Sequence, residues 1–489
     1  MISRGTPYNN ILYGIFIFIL ILLAPGSEKA LAAQYQAVPG LIDLRTTFSD
    51  GAYSVDGLVQ LAKSKGFHVL FLNDHDRMAM EYGIFPLRNL LKKRVELNSI
   101  NLQGADKFLQ AIREAEKRHP EMIIVPGSET APFYYWSGSF LKGNLTAHNP
   151  ERRILTIGMD KPGDYNKLPI LHNDVSLNMV HLFSPVCIIF SIAFAASFFM
   201  VLFWKGILRL IGVVILIFSF LFIMNTLLSD SSPFDPYHGD QGIAPYQSVI
   251  DYVSSRGGLT FWNYPETKSG IRKMGPITVS TPPYPGVLGD SKGYTGFSVL
   301  YGENITVTEP GNIWDLTLKE YCRGLRKRPP WGIATSDFHK EGESGEKLGN
   351  FQTVFFLKEK TKAQILDALK KGRMYACQGS YPKIPRLDSF FVSSTQGTEP
   401  GISGDEIMLT GNPVIHISLS MESPSSKPVK VRIIRSGALI KMIESPLPLK
   451  ITFEDSYFNP GEKVYYRMDM RGAGIVVSNP IFVKFEQPK

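Results

Sequence analysis

The feature that most limits how this chain can fold is a long apolar stretch in its middle, from about 184 to 228. It is interrupted only at Lys205, Gly206 and Arg209. A helix needs about 20 residues to cross a bilayer, so the stretch is too long for one crossing and fits two. It reads as a transmembrane hairpin of two helices, 184–204 and 207–228, joined by a tight turn. Neither arm carries a polar face, which argues against a helical hairpin buried in a soluble protein. Lys205 and Arg209 place the turn in the cytoplasm and both flanks on the exported side. The N-terminus agrees with export. Arg4, an apolar run over 11–24, the break at Pro25-Gly26 and the small-residue site Ala30-Leu31-Ala32 form a secretory signal over 1–33, either cleaved or kept as an anchor. The expected location is the inner membrane, with the soluble parts on the periplasmic side and lipid as one partner.

With 489 residues, 44% of them hydrophobic and 20% charged, the chain can bury a large core in two or three domains. Its 52 Lys and Arg against 44 Asp and Glu leave a dispersed excess of +8, without a dense basic tract interleaved with aromatics, so nucleic acid is not an expected partner. Three cysteines exclude a disulfide scaffold and a Cys-rich zinc module. Cys187 lies in the apolar stretch, which leaves Cys322 and Cys377 as the pair available to a soluble part.

Outside the hairpin, short apolar runs at 41–44, 68–72, 122–125, 154–157, 259–262, 297–301 and 332–335 read as strands. Helix-period segments lie between several of them. One presents Leu58, Leu61 and Ala62 and stops at Gly66; another presents Phe108, Leu109, Ile112 and Ala115. A third presents Tyr246, Val249, Ile250 and Val253, and a fourth starts at Thr361 and stops at Gly372. Alternating strand and helix predicts a parallel β/α architecture. The hairpin falls between the fourth and fifth strands, as an insertion into one domain. From about 386 the helix period disappears, and five strand-like runs separated by Pro, Gly, Ser and Asn predict a C-terminal β-sandwich. The expected division is 1–33 signal or anchor, 34–183 and 229–385 two halves of one α/β unit, 184–228 the hairpin, and 386–489 the all-β domain.

Polar residues gather just after the predicted strands. Asp43, Arg45 and Asp50 follow the first; Asn73, Asp74, His75 and Asp76 the second; Glu129 the third; Tyr264 the fifth; Ser336, Asp337 and His339 the seventh. Strand C-termini build the active site of β/α barrels, so these side chains are expected to converge, and converging carboxylates and imidazoles suggest a metal site. Each alone is also a common helix cap or turn residue. His148 and His172 read as surface histidines. The basic run Arg88, Lys92, Lys93 and Arg94 reads as a solvated helix face, and Phe133 to Trp136 as core aromatics, with contact to a membrane surface as the alternative for both.

The segments Leu41-Ile42-Asp43-Leu44-Arg45 through Asp50-Gly51, Asn73-Asp74-His75-Asp76, Pro126-Gly127-Ser128-Glu129, Gly257-Gly258-Leu259 through Tyr264-Pro265, and Ser336-Asp337-Phe338-His339 together resemble the motifs of the PHP (polymerase and histidinol phosphatase) superfamily. The resemblance spans most of 41–377 apart from the hairpin. It implies a distorted seven-stranded β/α barrel and metal-dependent phosphoester hydrolysis with up to three ions. It also exposes departures. The family's His-x-His falls on Asp43 and Arg45, another family histidine on Arg153, and the family's His-Pro on Tyr264-Pro265. Arginine stays protonated and cannot ligate a metal. Carried over, Asp50, His75 and His339 keep a complete site, and two imidazoles with a carboxylate suit Zn, Mn or Fe. Asp43, Glu129 and Asp337 keep a carboxylate-rich second one, so one or two ions are expected. Arg45 and Arg153 then either clamp a phosphate or pair with Asp43 and Glu129 and close the site. Two functions follow. One is an exported, membrane-anchored phosphoesterase with a reduced metal set, using Glu129 or Asp337 as base and Arg45 and Arg153 for the phosphorylated substrate. The other is a non-catalytic binding or envelope-assembly module that keeps the barrel.

Overall fold

A computed structural model describes residues 35–173, 176–177, 179–229, 232–302, 305–342, 346–395, 399–422 and 425–486. The signal expected over 1–33 lies outside them. The predicted strand runs form strands β1 (Gln36–Leu44), β2 (Val69–Leu72), β3 (Ile123–Thr130), β4 (Arg153–Ile157), β5 (Leu259–Asn263), β6 (Gly296–Leu300) and β7 (Trp331–Ala334). They lie side by side in that order and are followed on the far side of β1 by β8 (Phe351–Leu357) and β9 (Met374–Gln378). The four periodic segments are helices Val55–Ser64, Ala105–Arg118, Ala244–Ser255 and Lys362–Lys371. Ser54 and Thr361 cap the first and last through their hydroxyls, and Gly372 ends the last in the left-handed region.

Alternation explains the layering. Ile42, Val69, Phe71 and Val125 point into one core with the aromatic residues of β5 and β6, whereas Leu41, Leu70, Leu72 and Ile124 point outward onto Leu58, Phe108 and Ile112. Burial on both faces is why these strands read as unbroken apolar runs rather than alternating ones.

Three features differ from expectation. First, the strands are not all parallel. β1, β2 and β3 run together, as do β5, β6 and β7, but β4 is antiparallel to both of its neighbours. Second, the curled sheet does not close as a ladder of seven. Past the end of β7 it meets β1 through one bridge, Leu44 with Phe338, and the backbone bonds Arg45 N to Phe338 O (2.9 Å) and Phe338 N to Asp43 O (3.1 Å). Third, the sheet continues. β9 pairs with Gly474–Ser478, which leads through Lys463–Gly472 and Ser425–Arg435 to Ala438–Leu447, so the C-terminal strands extend the same sheet. A separate four-stranded sheet, 385–394, 401–402, 413–421 and 449–454, faces them across a core that includes Phe390, Ile417, Val431 and Met468.

Helices Pro185–Phe203 and Ile207–Leu227 are long and apolar enough to cross a membrane. Most of their surface faces outward, as at Phe203 (74% exposed) and Ile192 (65%), which a core helix of a soluble protein would hide. They pack on each other through stacked Phe190 and Phe222, ring centroids 4.2 Å apart. A Cβ on Gly212 would come within 2.8 Å of Met200 Cβ, so glycine permits their close approach there.

The basic run beside Arg88 is not helical: Lys92–Leu97 is a strand paired antiparallel with Met78–Gly83. Ladder pairing overrides the weak helix preference of Lys and Arg. His172 is not a surface residue either. It is buried, with Nε2 2.7 Å from the Tyr134 hydroxyl. Phe133, Tyr134 and Trp136 are core aromatics. Cys187, Cys322 and Cys377 are all free.

Candidate active site

The reversal of β4 has a consequence for the site. β1, β2, β3 and β5 deliver residues from their C-terminal ends, whereas β4 delivers its first residue, Arg153, to the same pole, opposite Asn263. Three strand-end residues there, Asp43, Tyr264 and Asp337, adopt left-handed backbone with φ of 72°, 48° and 47°. Such conformations cost about 1–3 kcal/mol each and persist where the surroundings fix them. Gly127 is required by crowding: a Cβ would lie 2.2 Å from Thr156 O and 2.6 Å from Asn73 Nδ2.

The centre of the site is Arg45, which is wholly buried. Its Nη2 lies 3.1 Å from Asp43 Oδ1, 2.7 Å from Glu129 Oε2 and 3.1 Å from Asp337 Oδ1. Its Nη1 donates to the Asn73 carbonyl. One guanidinium therefore ties together the three carboxylates that the resemblance assigns to a metal. Arg153 Nη1 donates to Glu129 Oε2 at 2.6 Å. Asn263, at the end of β5, completes the network. Its Nδ2 donates to Asp43 Oδ2 (2.9 Å) and Glu129 Oε1 (2.8 Å), while its Oδ1 accepts from Ser298 (2.6 Å) and Thr335 (3.3 Å). Tyr264 donates its hydroxyl to Asp43 Oδ2. Asn263 was not legible as a site residue, because an Asn ending an apolar strand reads as a turn former. Its position just before Tyr264-Pro265 was the signal available.

The electrostatics follow from burial and these partners. Burial pushes Asp43 up, against the downward pull of Arg45 and with a further upward push from Glu129 and Asp337. Burial also pushes Glu129 up, but Arg153, Arg45 and His75 outweigh it and hold it well below the usual carboxylate range. Asp43 is thus the member of the pair that takes a proton more readily. Tyr264 is driven well above its ordinary value by burial and by Asp337, Asp43 and Glu129, so it is a hydrogen-bond donor and not a phenolate ligand.

Beside this cluster stand Asp50, His75 and His339. Asp50 Oδ2 lies 3.4 Å from His75 Nε2 and 3.5 Å from His339 Nε2. His75 Nδ1 is 3.3 Å from Glu129 Oε2, and His339 Nδ1 is 3.4 Å from Glu346 Oε1. Burial, then Arg45, lowers His75. His339 is raised to about 9: burial pulls it down, but Asp50 and Asp337 outweigh that. Asp337, Asp50, His339 and Arg153 reach solvent, whereas Asp43, Arg45 and Glu129 are sealed. Asp74 and Asp76 face away from a ligand role. Asp74 accepts from Thr46 and Ser49, and Asp76 from Thr130 and the Arg77 amide.

The two halves differ in their fit to a divalent ion. The carboxylate half does not fit one, because Arg45 Nη2 takes the point where its three oxygens meet and cannot share it with a second cation. In the other half Asp50, His75 and His339 are donors of a type that ligates divalent ions. Two ligand atoms on one tetrahedral ion lie about 3.4 Å apart, the spacing Asp50 keeps from each histidine. Asp50 links the two histidines, and among the described residues no group of three or more His, Cys, Asp or Glu side chains is placed to hold a metal ion.

No protein family matches the chain by sequence profile, and no curated protein matches it by sequence. Some solved structures resemble it. One is a two-domain protein from Bacteroides vulgatus containing a predicted PHP-like metal-dependent phosphoesterase, at 12% identity and a TM-score of 0.36, with 89% of this chain and 91% of that one covered. A second, a Bifidobacterium adolescentis protein named a "putative metal-dependent phosphoesterase", shares 16% identity at a TM-score of 0.28, covering 63% and 90%. A third, an amidohydrolase from Chromobacterium violaceum with bound sulfate and no metal, shares 13% identity at 0.28, covering 68% and 96%. Scores this low assign neither a fold family nor an activity to this chain.

Proposed function

We propose that the chain is an exported, membrane-anchored phosphoesterase that works with a single divalent ion, Zn, Mn or Fe, held by Asp50, His75 and His339. The observation that carries this reading is Arg45, whose guanidinium lies within 3.1 Å of Asp43, Glu129 and Asp337. It supplies a permanent positive charge to a carboxylate cluster that could not otherwise stay buried. When bound, the ion supplies Lewis-acid activation of water and of a phosphoryl oxygen. Arg153, at the rim, holds a substrate phosphate, a task suited to a planar guanidinium. Asp337 is the site carboxylate tied to Arg45 that remains open to solvent, so it accepts the proton of the attacking water. Glu129, held by Arg45, Arg153 and Asn263, fixes the arginines and is a poor base.

One observation favours a second reading, a binding module without chemistry. Both arginines are already engaged by Glu129, so neither charge is free without rearrangement. Turnover of p-nitrophenyl phosphate by detergent-solubilised, metal-loaded protein separates the two. The hydrolase reading expects turnover that falls about 100-fold or more in Asp337→Asn, the scale of one general base. Turnover no faster than the buffer, with phosphate binding retained, selects the second.

A further inference from the structure

The tip of the β-ribbon formed by Met78–Gly83 and Lys92–Leu97 exposes Ile84 (60%), Phe85 (76%) and Leu91 (54%), an apolar patch that nothing in the site uses. Its position is fixed by the apolar hairpin. Asn89 N donates to Asn225 Oδ1 (2.8 Å), and Asn89 Nδ2 to Asn225 O (2.8 Å) and Leu228 O (3.0 Å). Asn225 is in the last turn of the helix that ends at Leu227. The chain entering the partner helix at Pro185 adds Val180 (74%) and Phe183 (82%), also exposed, at the same end of the helix pair. Basic side chains flank the patch. Arg88 lies over the Tyr237 ring at 4.1 Å and near Phe85, and Lys93 is exposed beside Lys92.

We infer that this tip is a second membrane contact: it dips Ile84, Phe85 and Leu91 into the acyl boundary of the exported leaflet and sets Arg88 and Lys93 among anionic phospholipid headgroups. The inference rests on the reading that the helix pair spans a membrane. Given that, the bonds from Asn89 to the last helical turn hold the tip at the depth where hydrocarbon gives way to headgroups. Apolar side chains flanked by cations are the composition that lies stably there. The tip also fixes the ribbon, and with it the β2 end of the site, against the bilayer, so the substrate mouth keeps one orientation to the membrane surface.

The test uses the full chain carrying Trp204→Phe, because Trp204 ends the first apolar helix, in nanodiscs containing brominated phospholipid, with a tryptophan added at Phe85→Trp and the emission of the Trp204→Phe parent subtracted. Phe199→Trp, on the lipid side of the first helix, and Leu439→Trp, on an exposed C-terminal strand, are the references. A side chain buried about 5–10 Å lies within reach of the brominated chains and should lose emission to them. The expected result is quenching at 85 and 199 and none at 439, with quenching at 85 stronger when anionic lipid is included and weaker in Lys93→Glu. Quenching at 199 without quenching at 85 overturns the inference while leaving the spanning helices intact, and points to a protein partner for the patch. No quenching at either position overturns the membrane reading and this inference with it.

Discussion

Among single residues, Arg45 does most to hold the site together. Its position two residues after Asp43, and the need of buried carboxylates for a counter-charge, made an ion pair one of two legible outcomes. That a single nitrogen would reach three carboxylates was not legible, because two of them come from strands far away in sequence. Removing the guanidinium in Arg45→Met leaves those carboxylates uncompensated and should cost about 3–5 kcal/mol in denaturant unfolding. Arg45→Lys should recover only part of that loss, since an ammonium cannot span Asp43, Asp337 and the Asn73 carbonyl together. Equal stability of wild type and Arg45→Met would remove Arg45 from the centre of the account. A pH effect belongs here too. Burial raises Asp76 to about 7, although the Thr130 hydroxyl pulls it down. The folded state then holds a proton that the unfolded chain has lost, so Asp76 makes stability fall as pH rises from about 4 to 7. In chelator-treated protein, Asp76→Asn should flatten that slope, by on the order of 2–4 kcal/mol across the range. An unchanged slope in the variant would assign the effect elsewhere.

At the element scale, the strand runs and helices were readable because strands buried on both faces are continuously apolar and the helices keep a 3.6 period, the first and last also carrying hydroxyl caps. Strand direction was not readable. β4 has the same apolar texture as its neighbours, and nothing in Ile154 to Ile157 records that it runs the other way. Nor did the basic run near Arg88 announce a strand, because its charged residues Lys92, Arg94 and Glu96 take the half-buried face while Val95 and Leu97 are exposed, the reverse of the usual alternation. The apolar hairpin makes its own prediction. With Lys205 and Arg209 at its turn, the positive-inside rule puts the turn in the cytoplasm and both halves of the α/β unit outside. A cysteine at Gly206→Cys should stay unlabelled by an impermeant reagent added to intact cells and become labelled after permeabilisation. Labelling before permeabilisation would reverse the topology. Gly212→Leu should separate the helices and destabilise the solubilised protein by about 1–3 kcal/mol, the usual cost of overpacking, as read from its thermal midpoint.

At the scale of the whole molecule, the C-terminal strands are bound into the sheet that carries the site. Arg467 and Asp315, both fully buried, pair at 2.7 Å and join strand Lys463–Gly472 to helix Ile313–Cys322, and Arg432 bridges Asp469 and Glu309 beside them. The texture change at 386 marked the all-β region, but sheet continuity depends on pairing between distant segments, which local pattern does not record. Arg467→Met should lower the stability of the α/β unit and the C-terminal strands together, by about 3–5 kcal/mol in one transition. Two separate transitions would show independent domains. On the proposed function, Arg45 stands where one ion would sit and Asp50, His75 and His339 hold another. The measurement that tests it most directly is elemental analysis of purified wild type beside His75→Ala with His339→Ala, and beside Arg45→His with Arg153→His and Tyr264→His. The account predicts about one divalent ion per chain in wild type, none in the first variant, and more than one in the second, because neutral imidazole ligates where guanidinium repels. Two or more ions in wild type, or equal metal in wild type and the His75→Ala, His339→Ala variant, would contradict it.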